Sequence, residues 1–480
     1  MLLAEVFAIV GFLLLAIGCA MLLPMGVSLF YGEAAWSAFL IGAVVTWLWG
    51  GIMFFVFRNQ EQKNLRHREG LAVVGISWTL AVVMCSLPLH FSGEFVSYTD
   101  ALFEASSGLT ATGSTVMADV EKASHGVLLW RSLMHWMGGM GFIILSLAVF
   151  PFIGLGGMQL YKAEIPSPTF DRFRPRIKDT ASMLWRIYLA LTLLAWLLFS
   201  IGGMDVFDAL CHALSNMSSG GFSTKNASLA YYNSPLIEWI SIFFMIAAGL
   251  NFSLYFWLLR GRPVWRDEEL RFYLGIIALC ALGAFIFLLI YSHTPWNEAL
   301  RRSVFHITAL VTTTGFTTAD YGSWPTGSIL FLIAAMFVGG CAGSTSGGPK
   351  VLRWLIWLKS IMSGLKQTVH PRSINTIRIS NKAVDRSVIE SVNSYLGLYL
   401  ICFFVVTMAM AAMGLGLETS FSAALASLGN IGPGLGEVGP AATCAGLPDS
   451  AKWLLSAAMI IGRLEMFPIL VMFMPGFWRS

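Results

Sequence analysis

Apolar residues run along the chain in ten long stretches, separated by polar connections of two alternating kinds. The stretches lie near residues 6–30, 37–57, 71–90, 127–153, 183–203, 235–260, 270–293, 326–360, 391–413 and 452–474. A helix needs about 20 apolar residues to cross the hydrocarbon core, so the pattern predicts ten membrane helices. The 326–360 stretch has the length of two pieces. The first stretch imitates a secretion signal and contains a lipobox-like AIGC. It lacks a basic leader and stays apolar past Cys19 to Phe30, which predicts a first span instead.

The polar connections sort by charge. Loops 58–70, 161–182, 260–269 and 350–390 are basic, as in RPRIK at 174–178. With the adjoining helix ends and Arg479, that side holds 23 of the 30 basic residues against 11 acids, and the other side holds 6 against 14. A net +12 facing −8 predicts a cytoplasmic basic side with both termini on it. Composition agrees, since 12% of the 480 residues are charged where a soluble domain carries about 25%. The seven cysteines show no CxxC and no zinc-like Cys/His spacing, and no HExxH, GxSxG or P-loop occurs. Nothing in this inventory suggests an enzyme.

The four connections on the acidic side repeat one another. They read DALFEASSGLTATGST (100–115), DALCHALSNMSSGGFST (208–224), SVFHITALVTTTGFTT (303–318) and SFSAALASLGNIGPGLG (420–436). Each offers a short amphipathic helix, then small residues and a glycine: Gly113, Gly221, Gly315 and Gly432, spaced 108, 94 and 117 residues apart. Asp100, Asp208 and Thr419 stand 13 residues before their glycine and are expected to cap these helices. The predicted unit is helix, re-entrant pore helix, glycine turn, helix. It occurs at 71–160, 161–262, 263–372 and 373–480, after two extra helices within 1–70. Irregular backbone at membrane depth is tolerated only where protein buries it or it lines water. Four such turns around one axis would present carbonyls and threonine hydroxyls able to replace the hydration shell of a monovalent cation. Any single copy reads equally well as small-residue helix packing; recurrence in one topological slot favours a cation filter.

Other polar residues extend the picture. GGCAGSTSGG (339–348) holds five glycines, each costing about 1 kcal/mol in a helix relative to alanine. It predicts a break in the eighth span, either a flap that occludes a pore or a kink for close packing. Arg463 lies inside the last span, and Glu465 is too close in sequence to be its intrahelical partner. Arg463 either holds the flap through its carbonyls, raises a barrier to cations, or pairs with an acid elsewhere. Asp119, Asp320 and Glu437 follow their glycines by five or six residues; they make either a negative outer mouth or plain solvated loops. Lys225 takes the corresponding place in the second copy. Glu104, His212 and His306, nine residues before their glycines, suit a proton relay or, more simply, hydrogen bonding behind the filter.

SSGLTATGST, GGFST, TTTGFTT and NIGPGLG resemble the filter loops of the Trk/Ktr/HKT superfamily of potassium transporters. GGCAGSTSGG, GRLEMFP (462–468), GGMQLYKAEIPSP (156–168) and the HPRS near 370 carry the resemblance along essentially the whole chain. It implies an all-α membrane protein whose ten transmembrane helices form two N-terminal extras and four repeats with pseudo-four-fold symmetry around one pore. It also implies potassium uptake across the bacterial inner membrane by a homodimer, with the ion as substrate and no tightly bound cofactor in this chain. A cytoplasmic ring of TrkA-like subunits that bind NAD(H), ATP or ADP would control opening. The implied filter is Thr110, Ala111, Thr112 and Gly113; Ser219, Gly220 and Gly221; Thr313, Thr314 and Gly315; and Asn430, Ile431 and Gly432. The implied gate is Gly340, Gly343, Ser344, Thr345 and Gly347 with Arg463. Serine at the first-copy glycine accompanies sodium transport in some plant relatives, so Gly113 favours potassium. Pro433 and Gly434 depart from the pattern, which implies less regular coordination in the fourth copy. The second reading is an alternating-access transporter coupling potassium to protons or sodium, which would call for inverted repeats. The basic 350–390 region suits anionic lipid or the docking of the regulatory partner.

Overall fold

A computed structural model describes residues 3–58, 67–141, 177–292, 294–372, 376–380 and 382–478. The later half of the 127–153 stretch, most of the basic 161–182 loop, residues 59–66, GGMQLYKAEIPSP and Ser373 of HPRS lie outside them. Apart from one two-stranded hairpin, Arg378–Ile379 against Lys382–Ala383, the regular structure among the described residues is helical.

Among the described residues, six helices are long and apolar enough to cross a membrane: Ala4–Phe30, Trp36–Phe57, Arg68–Phe91, Ser182–Ile201, Glu268–Tyr291 and Arg386–Ala412. Two bent pairs, if each is one span, bring the number to eight. Pro235–Ala248 meets Phe252–Leu259 at 93°, and Asp449–Arg463 meets Phe467–Phe473 at 113°. Straight helices over 235–260 and 452–474 were the expectation, and local chemistry explains the difference. Asn251 restarts the chain after Gly249 as an N-cap, its side chain accepting from Ser253 N at 3.0 Å. Glu465 and Met466 take φ of 54° and 67° before Pro468 opens the next turn. The eighth stretch also splits, into Thr326–Met336 and Val351–Val369 around the glycine-rich loop.

One order of elements recurs four times. An outer helix (the third to sixth of the long ones) leads to a short helix: Tyr98–Leu109, Val206–Met217, Trp296–Val311 or Leu417–Gly429. An inner helix follows: His125–Gly139, Pro235–Ala248, Thr326–Met336 or Asp449–Arg463. The short helices are buried over most of their length, and the outer helices leave Leu197, Leu279, Phe404 and Met408 exposed, as lipid contact requires.

Asp100, Asp208 and Thr419 are not caps. Each is the third residue inside its helix; Ser97, Asp205 and Gly416 hold the cap position. Two of the three instead tie the helix start to the strand that leaves the glycine turn. Asp208 accepts from Thr224 Oγ1 at 2.7 Å, and Thr419 Oγ1 accepts from Glu437 N at 3.2 Å. Asp100 pairs with Lys452 of the last inner helix at 2.7 Å, joining the first repeat to the fourth.

Inner helices lie directly on the short helices. A Cβ on Gly138 would overlap the Leu109 carbonyl, and one on Gly462 would overlap the Leu428 carbonyl, the same contact in repeats one and four. Gly138→Val and Gly462→Val should each lower stability by about 1–3 kcal/mol. A reduced midpoint temperature for loss of the monodisperse species in detergent is the readout.

Candidate functional site

The four short helices end in the same way. Two residues before each turn glycine, Ala111, Ser219, Thr313 and Asn430 take left-handed φ of 53°, 57°, 55° and 52°. The next amide then bonds back to the helix: Thr112 N to Ser107 O at 2.9 Å, Gly220 N to Ser215 O at 2.9 Å, Thr314 N to Ala309 O at 2.8 Å and Ile431 N to Ala426 O at 2.8 Å. This is a Schellman ending, normally built on glycine. Here residues with a Cβ adopt it, at a cost of roughly 1–2 kcal/mol each. The turn glycines follow with φ of 90°, 79°, 73° and 102°.

These turns meet. A Cβ on Gly113 would overlap the carbonyl of Gly220; on Gly221, that of Thr314; on Gly315, that of Ile431; and on Gly432, that of Thr112. Each glycine packs on the carbonyl of the next copy, and the fourth returns to the first. None of the hydrogen bonds among the described residues ends on those four carbonyls.

Hydroxyls were expected to join the carbonyls in the ring, but protein partners hold them. Thr110 Oγ1 donates to Ser106 O at 2.7 Å and lies 2.7 Å from Thr112 Oγ1. Thr312 Oγ1 donates to Thr308 O at 2.7 Å and lies 2.8 Å from Thr314 Oγ1. Asn430 Nδ2 donates to Thr112 Oγ1 at 3.0 Å and to Met459 O at 2.9 Å. A hydroxyl has one hydrogen, and the carbonyls at a helix C-terminus are its nearest takers.

Behind each turn a side chain on the short helix supports the departing strand. Glu104 accepts from Thr115 Oγ1 at 2.9 Å, from Val116 N at 3.0 Å and from Arg131 Nε at 2.7 Å. His212 Nε2 reaches Ser223 Oγ at 2.9 Å, and His306 Nε2 accepts from Thr318 N at 3.4 Å. In the fourth copy Ser422 Oγ accepts from Leu435 N at 2.9 Å. The supporting role expected of Glu104, His212 and His306 therefore fits their contacts.

A cavity of about 190 Å³ opens on the side of the residues that follow the glycines, and all four glycines line it. Asp119, Asp320 and Glu437 are not among the residues that line it, which favours the plain loop reading of these acids over a negative mouth. The charged residues that do are Arg131 and Lys225, paired with Glu104 at 2.7 Å and Asp208 at 3.0 Å. Two of these loop acids are held by other partners. Asn226 at 2.9 Å, and then Lys122 at 2.8 Å, hold the Asp119 carboxyl below its usual range, and Asp320 accepts from Gly322 N at 3.0 Å.

The glycine-rich loop packs against the other side of the turns. Thr345 Oγ1 lies 3.0 Å from Ser219 Oγ, Gly347 N donates to Thr313 Oγ1 at 2.6 Å, and a Cβ on Gly347 would press on Asn430. Gly343 O accepts from Phe252 N at 3.1 Å, Gly340 O from Val351 N at 2.9 Å, and Ser344 Oγ donates to Cys341 O at 2.6 Å. Arg463 Nη1 donates to Thr345 O at 2.9 Å, and Nη2 to Gly139 O at 2.9 Å and to Gly138 O. Glu465 pairs with Arg353 instead. Of the readings open to Arg463, the one that holds the loop by its carbonyls matches these bonds.

Sequence reasoning missed two residues of the site, Glu269 and Arg131, and the conformation of the four filter residues Ala111, Ser219, Thr313 and Asn430. The left-handed positions two before each glycine carry no residue signal except Asn430. Glu269 Oε1, which accepts from Ala342 N of the loop at 2.6 Å, stands 73 positions away. Arg131 sits in an inner helix that reads as a plain span, though a charge there was signal enough to ask for its partner.

The comparisons with known proteins agree with this geometry. The family model TrkH, described as a cation transport protein, matches residues 35–479, and the chain belongs to that family. The Trk system potassium uptake protein TrkH of Salmonella typhimurium is 39% identical over 484 positions, covering 98% of each chain. TrkG of Escherichia coli is 37% identical, covering 98% of this chain and 97% of that one. The crystal structure of the potassium transporter TrkH from Vibrio parahaemolyticus matches with a TM-score of 0.90 at 36% identity, covering both chains fully. The chain is thus an all-helical membrane transport protein and not an enzyme.

Glu104→Gln should leave Arg131 buried without a matching charge and cost about 3–5 kcal/mol. The check is heat survival of the folded species in detergent, in which this variant should fall well below Thr115→Val.

Proposed function

We propose that the chain takes up potassium across the bacterial inner membrane through a pore on the axis of the four turns. The observation that carries this is the closed succession of glycine on carbonyl through all four copies. It leaves main-chain oxygens in a ring without donors among the described residues, the arrangement that replaces the hydration shell of an alkali ion. Thr110 to Gly113, Ser219 to Gly221, Thr313 to Gly315 and Asn430 to Gly432 line it, at the centre of ten spans with pseudo-four-fold symmetry. The names of the relatives supply the ion. Both termini then face the cytoplasm, by the charge asymmetry of the loops. Four repeats of one sense favour a pore over alternating access, which would draw on inverted ones.

Residues 339–348 act as the gate. They lie beneath the ring against Ser219, Thr313 and Asn430, and Arg463 fastens Thr345 to the carbonyls at the end of the first inner helix. A homodimer, with a TrkA-like nucleotide-binding subunit on the basic cytoplasmic side, completes the reading. The helix Val351–Val369 runs directly from the gate to that side, giving the partner a lever.

Rubidium uptake into liposomes, with potassium and sodium as competitors, tests the proposal; uptake insensitive to potassium would defeat it. Gly113→Ser sets a Cβ against the Gly220 carbonyl and should weaken discrimination against sodium by roughly tenfold, or 1.4 kcal/mol. Unaltered selectivity would remove the first turn from the filter. Arg463→Ala should raise cation leak several-fold when no regulatory subunit is present, and unchanged flux would count against the gate.

A further inference from the structure

The second turn lacks a side chain where the other three have one. The residue before the glycine is Thr112, Thr314 or Ile431 in copies one, three and four, all without solvent exposure, and Gly220 in copy two. Gly220 does not share the left-handed φ of its neighbours Ser219 and Gly221, so backbone conformation does not demand glycine there. A neighbouring side chain does. A Cβ on Gly220 would overlap the imidazole of His135.

His135 belongs to the inner helix of repeat one and has no solvent exposure. Its ring stacks on Phe222, with centroids 4.1 Å apart and planes 15° from parallel. Among the described residues neither ring nitrogen has a hydrogen-bond partner of good geometry, the backbone of Ser107 being the nearest candidate. Burying two such nitrogens is unfavourable, so what the ring contributes is volume. One turn away on either side, Arg131 and Gly139 continue the same helix face. The Arg131 guanidinium lies 4.1 Å from the Phe222 centroid and donates to Ser223 O at 3.2 Å, while Gly139 packs on Ser218. One face of a first-repeat helix therefore follows the second turn from residue 218 to residue 223.

We propose that His135 completes the second filter strand. Its ring fills the volume that threonine fills in copies one and three. It thereby fixes the Gly220 carbonyl, the oxygen on which Gly113 packs, at the radius that separates potassium from sodium. His135 is a positioning residue that touches no ion, and its role rests on the potassium-pore reading above.

The test uses the full-length chain in liposomes, with rubidium uptake measured against increasing sodium. His135→Ala leaves a void, and the sodium concentration that halves uptake should fall by about tenfold. Gly220→Thr alone overlaps the ring and should depress uptake at every sodium concentration. Combined with His135→Ala it rebuilds a strand like copies one and three, and sodium discrimination should recover to within about threefold of the unmodified protein, a strongly non-additive pair. His135→Phe keeps ring volume without nitrogens and should lose less than His135→Ala; it also serves if the alanine variant does not assemble. Sodium sensitivity unmoved by His135→Ala overturns the inference, as does a His135→Phe variant that loses tenfold or more, or a double variant no better than the two single effects combined. If the unmodified protein takes up no rubidium, the potassium reading itself fails instead.

Discussion

The structure turns on one constraint: main chain that leaves helical geometry deep in a membrane must still have its polar groups met. The four turns answer it asymmetrically. Amide hydrogens go back to the short helix in a six-to-one bond, which frees the carbonyls that follow. The price is a left-handed residue with a Cβ in every copy, held there by close packing on all sides. Glycine is then needed once more per copy, because the next strand's carbonyl occupies the place of a side chain.

Equivalent tasks are done by unlike residues. A carboxylate, two imidazoles and a hydroxyl on the four short helices support the four departing strands. Carboxylate support brings a cation with it, and Arg131 follows Glu104 into the interior for that reason. The second copy goes further and takes its missing side chain from the neighbouring repeat. Sequence symmetry is therefore weaker than the symmetry of the backbone it serves.

The four turns and the glycine-rich loop form one packed unit. The glycine-rich loop touches the left-handed residues of copies two, three and four, and Arg463 reaches from the fourth inner helix to the end of the first. The Val351–Val369 helix follows directly on the loop and is bonded to it through Val351 N and Gly340 O, so movement of either is mechanically continuous with the other.

The sequence by itself determined the membrane class, the four-fold recurrence and the identity of the turn glycines, because apolar length and glycine spacing are local properties. It also marked the loop at 339–348 and the isolated Arg463, since five glycines and a charge are conspicuous in an apolar run. It misjudged the straightness of 235–260 and 452–474, where hydropathy cannot register a 93° or 113° bend. The acids Asp119 and Asp320 suited a mouth by their spacing, yet loop geometry gave them Asn226 and Gly322 as partners. Only the tertiary structure decided which carbonyl each glycine meets and that His135 stands in for a side chain at Gly220. Those contacts join residues from different repeats, and nothing local in the chain encodes how far apart two repeats will lie once packed.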